Sequence, residues 1–206
     1  MNCVSLSGSV VRPAEFSHES HGMRYYQIEI SSRRLSGVED VLRALISENE
    51  LRRYDPCVGD MVELDGQLRS FNNKSGVGSR LVISVFAQNL RPGSGESINR
   101  VELEGVLCKA PIYRKTPLGR EICDLLIAVP RAFGKSDYLP VICWGRMARD
   151  SADYDVGARL SVKGRFQSRT YIKQLENSSV ERVAFEVSAS FIGPTLPDVS
   201  ENEINT

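Results

Sequence analysis

Apolar and polar residues alternate along most of this chain, as they do in β-strands that bury one face. The alternation starts with VSLSGSVV at residue 4 and starts again with VELEGVLC at residue 101. An offset of 97 positions joins Val4 to Val101 and also joins Gly8 to Gly105. The two halves of the chain therefore begin with the same strand pattern.

The match between the halves continues to the end of each half. Insertions in loops change such an offset between strands and leave it constant within a strand. The offset takes the values 97, 98 and 102 at the pairs Asp40/Asp137, Gly66/Gly164 and Ala87/Ala189. We interpret this as an internal duplication, and chance similarity of two β-rich halves is the alternative.

The duplication changes how residues 38–53 are interpreted. Their composition, VEDVLRALISENELRR, favours a helix. However, DVLRALIS aligns without a gap to DYLPVICW, where Pro140, Val141 and Ile142 favour a strand. We therefore predict a third strand in each half, followed by a short helix or turn at about residues 48–54 and 146–154.

Each half then has about five strands, and the fourth is MVELDGQLRS from Met61 or RLSVKGRFQS from Arg159. Glycines inside the first and fourth strands predict bulges or bends. Five strands with a helix between the third and fourth describe an OB-fold barrel. We predict an all-β protein with two tandem OB-fold five-stranded barrels, at residues 1–92 and 99–192. Residues 93–98 form a linker, and we expect residues 193–206 to be a disordered tail.

Composition narrows the class of protein. The net charge of the 206 residues is zero, although residues 1–97 carry −1 and residues 98–192 carry +4. This balance argues against nucleic-acid binding through bulk charge alone. We expect no membrane-spanning segment and no secretory leader, and the five cysteines fit reduced thiols of a cytosolic protein.

The sequence gives little support for catalysis. The chain lacks a phosphate-cradling loop, a nucleophile elbow and a zinc-binding HExxH pattern. His18 and His21 share one polar loop, where solvated side chains are the usual interpretation and metal chelation is the alternative. We therefore expect no enzyme activity, no cofactor, no metal and no small-molecule substrate.

The second half resembles the bacterial single-stranded DNA-binding protein family. The resemblance rests on NRVELEGVL, IAVPR, SDYLPVICWGRMA and YDVGARLSVKGRFQSRTY, in this order. The single-domain primosomal replication protein N shares much of this pattern. Residues 3–90 resemble the family only through their match to the second half.

An OB-fold presents a groove on its second and third strands, where aromatic rings stack bases and cations neutralise phosphates. In the second half, we expect Val141 and Cys143 to face the barrel interior and Trp144 to face the groove. Covering of the core or of a subunit contact is the alternative for Trp144. Tyr171, which follows the fourth strand at the foot of the last hairpin, and Phe133 are further stacking candidates. The alternatives are that Tyr171 covers the base of the loop and that Phe133 pins its own loop.

Seven cations of the second half are candidates for phosphate contacts, and we expect about half of them to touch DNA. They are Arg131, Lys135, Arg146, Lys163, Arg165, Arg169 and Lys173. Lys163 and Arg165 share one strand face, with Val162 and Phe166 expected in the core.

The first half has weaker candidates. Tyr25 with Arg24 is the predicted groove pair, and Glu29 on the face of Tyr25 would repel phosphate. Ser47 stands where the second half has Trp144. Further candidates are Arg33, Arg34, Arg69, Phe71 and Lys74. The alternative interpretation, based on its net charge of −1, is that this half serves pairing or dimerisation instead of DNA binding.

The resemblance implies a cytoplasmic, nucleoid-associated protein that binds single-stranded DNA in replication, repair or recombination. Family members with one domain per chain assemble as tetramers, which implies a homodimer with four barrels here. The best-known family members end in an acidic tip closing on Pro-Phe that recruits replication and repair proteins. The residues here end in Asn205 and Thr206, so we do not expect this tail to have that role. A protein-interaction scaffold or primosomal accessory protein with a vestigial DNA face is the alternative.

Overall fold

A computed structural model describes residues 1–73, 80–174 and 179–195 of the chain. Lys74 and most of the expected tail therefore lie outside the described residues. The described residues form eleven strands and two short helices. Among the described residues, no helix is long and apolar enough to cross a membrane.

The first barrel contains five strands and one helix. They are β1 (Asn2–Ser20), β2 (Met23–Arg33), β3 (Glu39–Ser47), α1 (Glu48–Arg53), β4 (Met61–Asn72) and β5 (Leu81–Pro92). The strands follow one another in the order β1–β2–β3–β5–β4, and β4 pairs with β1 again. This second pairing of β1 closes the barrel.

The second barrel has the same order and one additional short strand. Its elements are β6 (Asn99–Leu107), β7 (Ile112–Lys115), β8 (Glu121–Arg131), β9 (Lys135–Trp144), α2 (Arg146–Ala152), β10 (Arg159–Gln174) and β11 (Ser179–Pro194). Strand β6 pairs with both β8 and β10 and closes the barrel. The structure confirms the predicted all-β fold, including the third strands and the helix that follows each of them.

The barrel interiors follow the alternation of the sequence. In β9, Val141 and Cys143 point inward and are buried, as expected. Ile142 points outward and is nevertheless 2% exposed, because neighbouring side chains cover it. In β10, Val162 and Phe166 are both fully buried, as predicted for the two sides of Gly164.

Glycines in the fourth strand of each barrel allow a close approach to the fifth. A Cβ atom on Gly66 would lie 2.1 Å from the carbonyl oxygen of Phe86, and one on Gly164 would lie 2.3 Å from that of Ser188. The strand register shifts at both glycines. The bends predicted at these positions are therefore confirmed.

The fourth strands are longer than predicted. They were expected to end at Ser70 and Ser168, but β4 continues to Asn72 and β10 to Gln174. Cross-strand pairs extend the ladder beyond the barrel, with Phe71 opposite Val82 and Tyr171 opposite Arg182. The expectation that Tyr171 follows the fourth strand is wrong, because it lies within that strand.

The two barrels share one sheet through their first strands. β1 and β6 run antiparallel with Val4 opposite Val101, which are equivalent residues of the duplication. The pairing therefore has an approximate two-fold axis, and equivalent hydrogen bonds flank it: the Ser7 amide donates to the carbonyl of Ile98 (2.7 Å) and the Glu104 amide to that of Met1 (2.8 Å).

Residues 93–98 connect β5 to β6, where the linker was expected. Their backbone forms hydrogen bonds with the first barrel. The amide of Ile98 donates to the hydroxyl of Ser7 (2.6 Å), and the amide and hydroxyl of Ser94 donate to Glu63 (2.8 and 2.6 Å). The connection is thus fixed against the first barrel.

Candidate nucleic-acid interface

Two exposed aromatic side chains lie on the outer face of β9. Core residues Leu139, Val141 and Cys143 alternate with them, so Tyr138 and Trp144 share the opposite face. Tyr138 is 47% exposed and Trp144 is 38% exposed. Tyr138 was not among the sequence candidates, although its even spacing from Trp144 along one strand was a usable signal.

Trp144 and its equivalent Ser47 serve different purposes. Ser47 is the N-cap of α1, and its hydroxyl accepts a hydrogen bond from the Glu50 amide (3.3 Å). In the second barrel, Gly145 occupies the N-cap of α2 with φ of 56° and makes no side-chain capping bond. Because the cap lies one residue later, the position of Trp144 is free to carry a large aromatic ring.

Phe133 lies in the turn between β8 and β9. Its side chain is 97% exposed, and its φ of 61° lies in the left-handed region, which is uncommon for a residue with a large side chain. A ring this exposed does not pin the turn, so the alternative of a structural role for Phe133 is wrong. Arg131 and Lys135 flank the turn as a cross-strand pair.

Asp137 forms a polar contact between the barrels, which we call the Asp137 seam. Its buried carboxylate accepts from the Ser70 amide (2.8 Å) and from Arg69 (3.0 Å), and Arg131 lies 3.6 Å away. The amide of Tyr138 donates to the hydroxyl of Ser70 (2.8 Å). Arg69 and Arg131 thus neutralise a buried carboxylate.

Asp40 forms the equivalent contact on the other side of the axis, the Asp40 seam. Its carboxylate accepts two bonds from Arg34 (2.7 and 2.6 Å) and two from the amide and hydroxyl of Ser168 (2.8 and 3.0 Å). Burial raises the pKa of Asp40, but these hydrogen bonds outweigh it and leave the pKa below its ordinary value. Arg34 therefore also has a structural partner.

The other candidate cations of the second barrel are more accessible. Lys135 and Arg146 are exposed, and the Arg146 side chain, 87% exposed, lies 3.6 Å from Asp150. Lys163 lies 3.6 Å from Glu102, and the half-buried Arg165 donates to the carbonyl of Arg33 (3.3 Å). The side chain of Lys173 lies outside the described part of the structure.

Tyr171 carries a cation on its ring. The guanidinium of Arg169 lies 5.7 Å from the ring centroid and also contacts Glu186 (3.4 Å). Tyr171 is half-buried by these neighbours. Arg169 is therefore held beside a ring and a carboxylate at the same time.

The first barrel separates Arg24 from Tyr25. The ring of Tyr25 stacks on His18, with centroids 5.1 Å apart, and lies 5.7 Å from Phe86. The guanidinium of Arg24 instead lies 5.0 Å from the ring centroid of Phe16. The predicted groove pair of Tyr25 and Arg24 is wrong, because neighbouring residues of a strand point to opposite faces.

Glu29 has cationic partners on its face. Its carboxylate lies 3.2 Å from Arg12 and 3.4 Å from Arg43. The repulsion of phosphate that the sequence predicted for Glu29 is therefore offset by two guanidinium groups.

The interior offers little for catalysis. Burial raises the pKa of Cys143 to about 11, so this thiol is protonated at neutral pH. Within the described residues, no three His, Cys, Asp or Glu side chains gather in a group that would hold a metal ion. Aromatic rings and cations, in contrast, lie exposed on the outer faces of the barrels.

Comparison with known proteins shows which family the second barrel is similar to. The sequence pattern described as "Single-strand binding protein family" matches residues 98–193. A single-stranded DNA-binding protein of Clostridium tetani is 37% identical over 81 residues, which cover 36% of this chain and 56% of that protein. Single-stranded DNA-binding protein A of Bacillus subtilis is 34% identical over 93 residues, which cover 42% and 52% of the two chains.

The chain thus spans about half the length of the curated relatives that it matches.

The wild-type single-stranded DNA-binding protein of Thermus aquaticus has the same fold over nearly the whole chain. Its crystal structure superimposes with a TM-score of 0.78 at 19% identity and covers 98% of this chain and 96% of its own. At this identity, the likeness shows that both barrels and their connection follow a known arrangement.

Proposed function

We propose that this chain binds single-stranded DNA without strong sequence preference, because residues 98–193 match the single-strand binding protein family. The carrying observation is the pair of exposed aromatic side chains, Tyr138 and Trp144, on one outer face of β9. Stacking of a base on such a ring contributes about 1–3 kcal/mol and tolerates any base.

Phosphate contacts supply the remaining attraction in this proposal. Accessible cations of the second barrel fit that purpose, since residues 98–192 carry a net charge of +4. They are Lys135, Arg146, Lys163, Arg165 and Arg169, with Lys173 retained from the sequence. Arg34, Arg69 and Arg131 are assigned to the two seams instead, where their charge balances buried carboxylates.

The biological setting follows from this activity. We propose that the protein covers unpaired DNA during replication, repair or recombination, as a non-enzymatic protein of the bacterial cytoplasm and nucleoid. Two chains form the functional unit, so that four barrels are available to one strand. The division of the chain into barrels of residues 1–92 and 99–192 is part of the same proposal.

Trp144 allows a direct test, because it is the single tryptophan of the chain. Titration with oligo-dT at low salt is expected to quench its fluorescence, and added salt is expected to weaken the binding. In an anisotropy assay with labelled oligo-dT, Trp144→Ala is expected to bind about 5- to 150-fold more weakly, the equivalent of about 1–3 kcal/mol. Lack of binding by the wild-type protein at low salt would overturn the proposal and favour a protein-binding scaffold.

A further inference from the structure

We infer that single-stranded DNA follows one asymmetric track that runs from the first barrel onto the second across the Asp137 seam. The duplication creates two paths related by the approximate two-fold axis, and one of them carries more accessible aromatic rings than the other. The inference rests on the proposed function and adds the path that the DNA takes across the molecule.

The track begins on the outer face of the first barrel, where rings and a guanidinium form a continuous row. His18 stacks on Tyr25 (5.1 Å between centroids), and Tyr25 lies 5.7 Å from Phe86. The guanidinium of Arg69 lies 5.7 Å from the ring centroid of Phe86. These contacts lead across the sheet from β1 and β2 through β5 to β4.

The row reaches the second barrel at the Asp137 seam. Arg69 donates to Asp137 (3.0 Å), and the next residue of β4, Ser70, accepts from the amide of Tyr138 (2.8 Å). Exposed rings flank this crossing on both barrels, with Phe71 41% exposed in β4 and Phe133 97% exposed at the turn before β9. Hydrogen bonds between the barrels therefore hold the crossing in place.

Beyond the crossing, the track follows the outer face of β9. Tyr138 and Trp144 lie on this face, six residues apart. A strand rises about 3.3 Å per residue, so the two rings are about 20 Å apart along β9. The half-buried Pro140 and the covered Ile142 form an apolar floor between them.

The symmetry-related path lacks this lining. The positions equivalent to Tyr25, Arg69, Phe71, Phe86, Phe133, Tyr138 and Trp144 are Ile122, Gln167, Arg169, Ser188, Ser36, Val41 and Ser47. None of these seven is aromatic, and two of them, Ile122 and Gln167, are buried. Two rings lie near that path instead, Tyr171 and Phe185, whose equivalents are Asn73 and Ile83. Each ring already has a guanidinium group beside it, Arg169 at 5.7 Å from the centroid of Tyr171 and Arg43 at 5.7 Å from that of Phe185.

Matched substitutions at equivalent positions test the track. Tyr138→Ala and Phe133→Ala alter the aromatic path, while Val41→Ala and Ser36→Ala alter the same two positions of the other path. All four side chains are exposed, so the variants are expected to fold like the wild type, which circular dichroism and thermal unfolding check. Binding is measured with labelled oligo-dT by fluorescence anisotropy at fixed salt.

Each variant of the aromatic path is expected to bind about 5- to 150-fold more weakly, and each variant of the other path within about 2-fold of wild type. The inference is overturned if wild type binds but Tyr138→Ala and Val41→Ala weaken binding equally, or if Tyr138→Ala and Phe133→Ala leave binding unchanged. Failure of the wild-type protein itself to bind would instead refute the proposed function, so the two failures are distinguishable.

Discussion

At the scale of single residues, two buried aspartates bind arginines that would otherwise be available for the proposed phosphate contacts. Asp40 and Asp137 are 1% and 0% exposed, and each accepts hydrogen bonds from the opposite barrel. A carboxylate this deeply buried needs cationic and hydrogen-bonding partners. The arginines that look like phosphate ligands in the sequence, Arg34, Arg69 and Arg131, supply those partners.

Asp40→Asn tests this assignment. Removing the charge leaves Arg34 without its partner, and breaking a buried pair costs about 3–5 kcal/mol of the free energy of unfolding. Because the folded pKa of Asp40 is lowered, its contribution is present above the unfolded pKa of about 4 and is lost as pH falls through the folded pKa. Urea unfolding at a series of pH values should therefore show the largest difference from wild type near neutrality.

Asp150→Asn is the matched control, because it removes one partner of an exposed pair in α2. The side chains of Arg146 and Asp150 are 87% and 64% exposed, and such pairs contribute about 0–1 kcal/mol. Equal effects of the two substitutions, or an Asp40→Asn effect that grows on acidification, would contradict the assignment.

At the scale of elements, the fourth strand of each barrel is shaped by one glycine. Gly66 and Gly164 lie where the register with the fifth strand shifts, and the partner backbone occupies the space of a side chain. The bend carries β10 from the sheet shared between the barrels into the long hairpin with β11. Glycine is needed here for close approach of two backbones.

We expect Gly164→Ala to lower the free energy of unfolding by about 1–3 kcal/mol, because the new methyl group would overlap the carbonyl of Ser188. Thr170→Ala, at an exposed position of the same strand, is expected to change it by less than about 0.5 kcal/mol. Urea unfolding with an unchanged m-value measures both effects. Similar stabilities of the two variants would show that β10 tolerates a side chain at its bend.

At the scale of the whole molecule, one chain forms what looks like a dimer of barrels. The pairing of β1 with β6, the two seams and the fixed connection join the barrels into one eleven-stranded sheet. In the dimer that we propose, two chains supply four barrels.

Sedimentation equilibrium tests this expectation. The protein is expected to have about twice the mass of the 22.9 kDa chain at micromolar concentration and to dissociate on dilution. A mass equal to one chain over the whole concentration range would refute the dimer and leave DNA binding by a single chain open to separate measurement.

The sequence was most informative where local patterns agree with the duplication. Strand alternation and the two internal glycines predicted both barrels, and the alignment of residues 40–47 with 137–144 corrected the helical composition of the third strand. Arg34 and Arg131 lie only six residues from Asp40 and Asp137, but the burial of these carboxylates was not predictable, because it depends on Ser168 and Ser70 of the opposite barrel. The contact of Arg69 with Asp137, 68 residues away, was not predictable for the same reason. Tyr138 was missed for a different reason: the predicted alternation already placed it on the face of Trp144, but that spacing was not used.

The fusion of two copies also changes how the protein varies. In an assembly of identical chains, one coding change alters two equivalent positions at once, and both must tolerate it. Here Val4 pairs with Val101 across the axis, yet each is encoded separately. Equivalent positions of the two barrels can therefore change independently. Ser47 caps a helix, for example, while the equivalent position in the second barrel is Trp144.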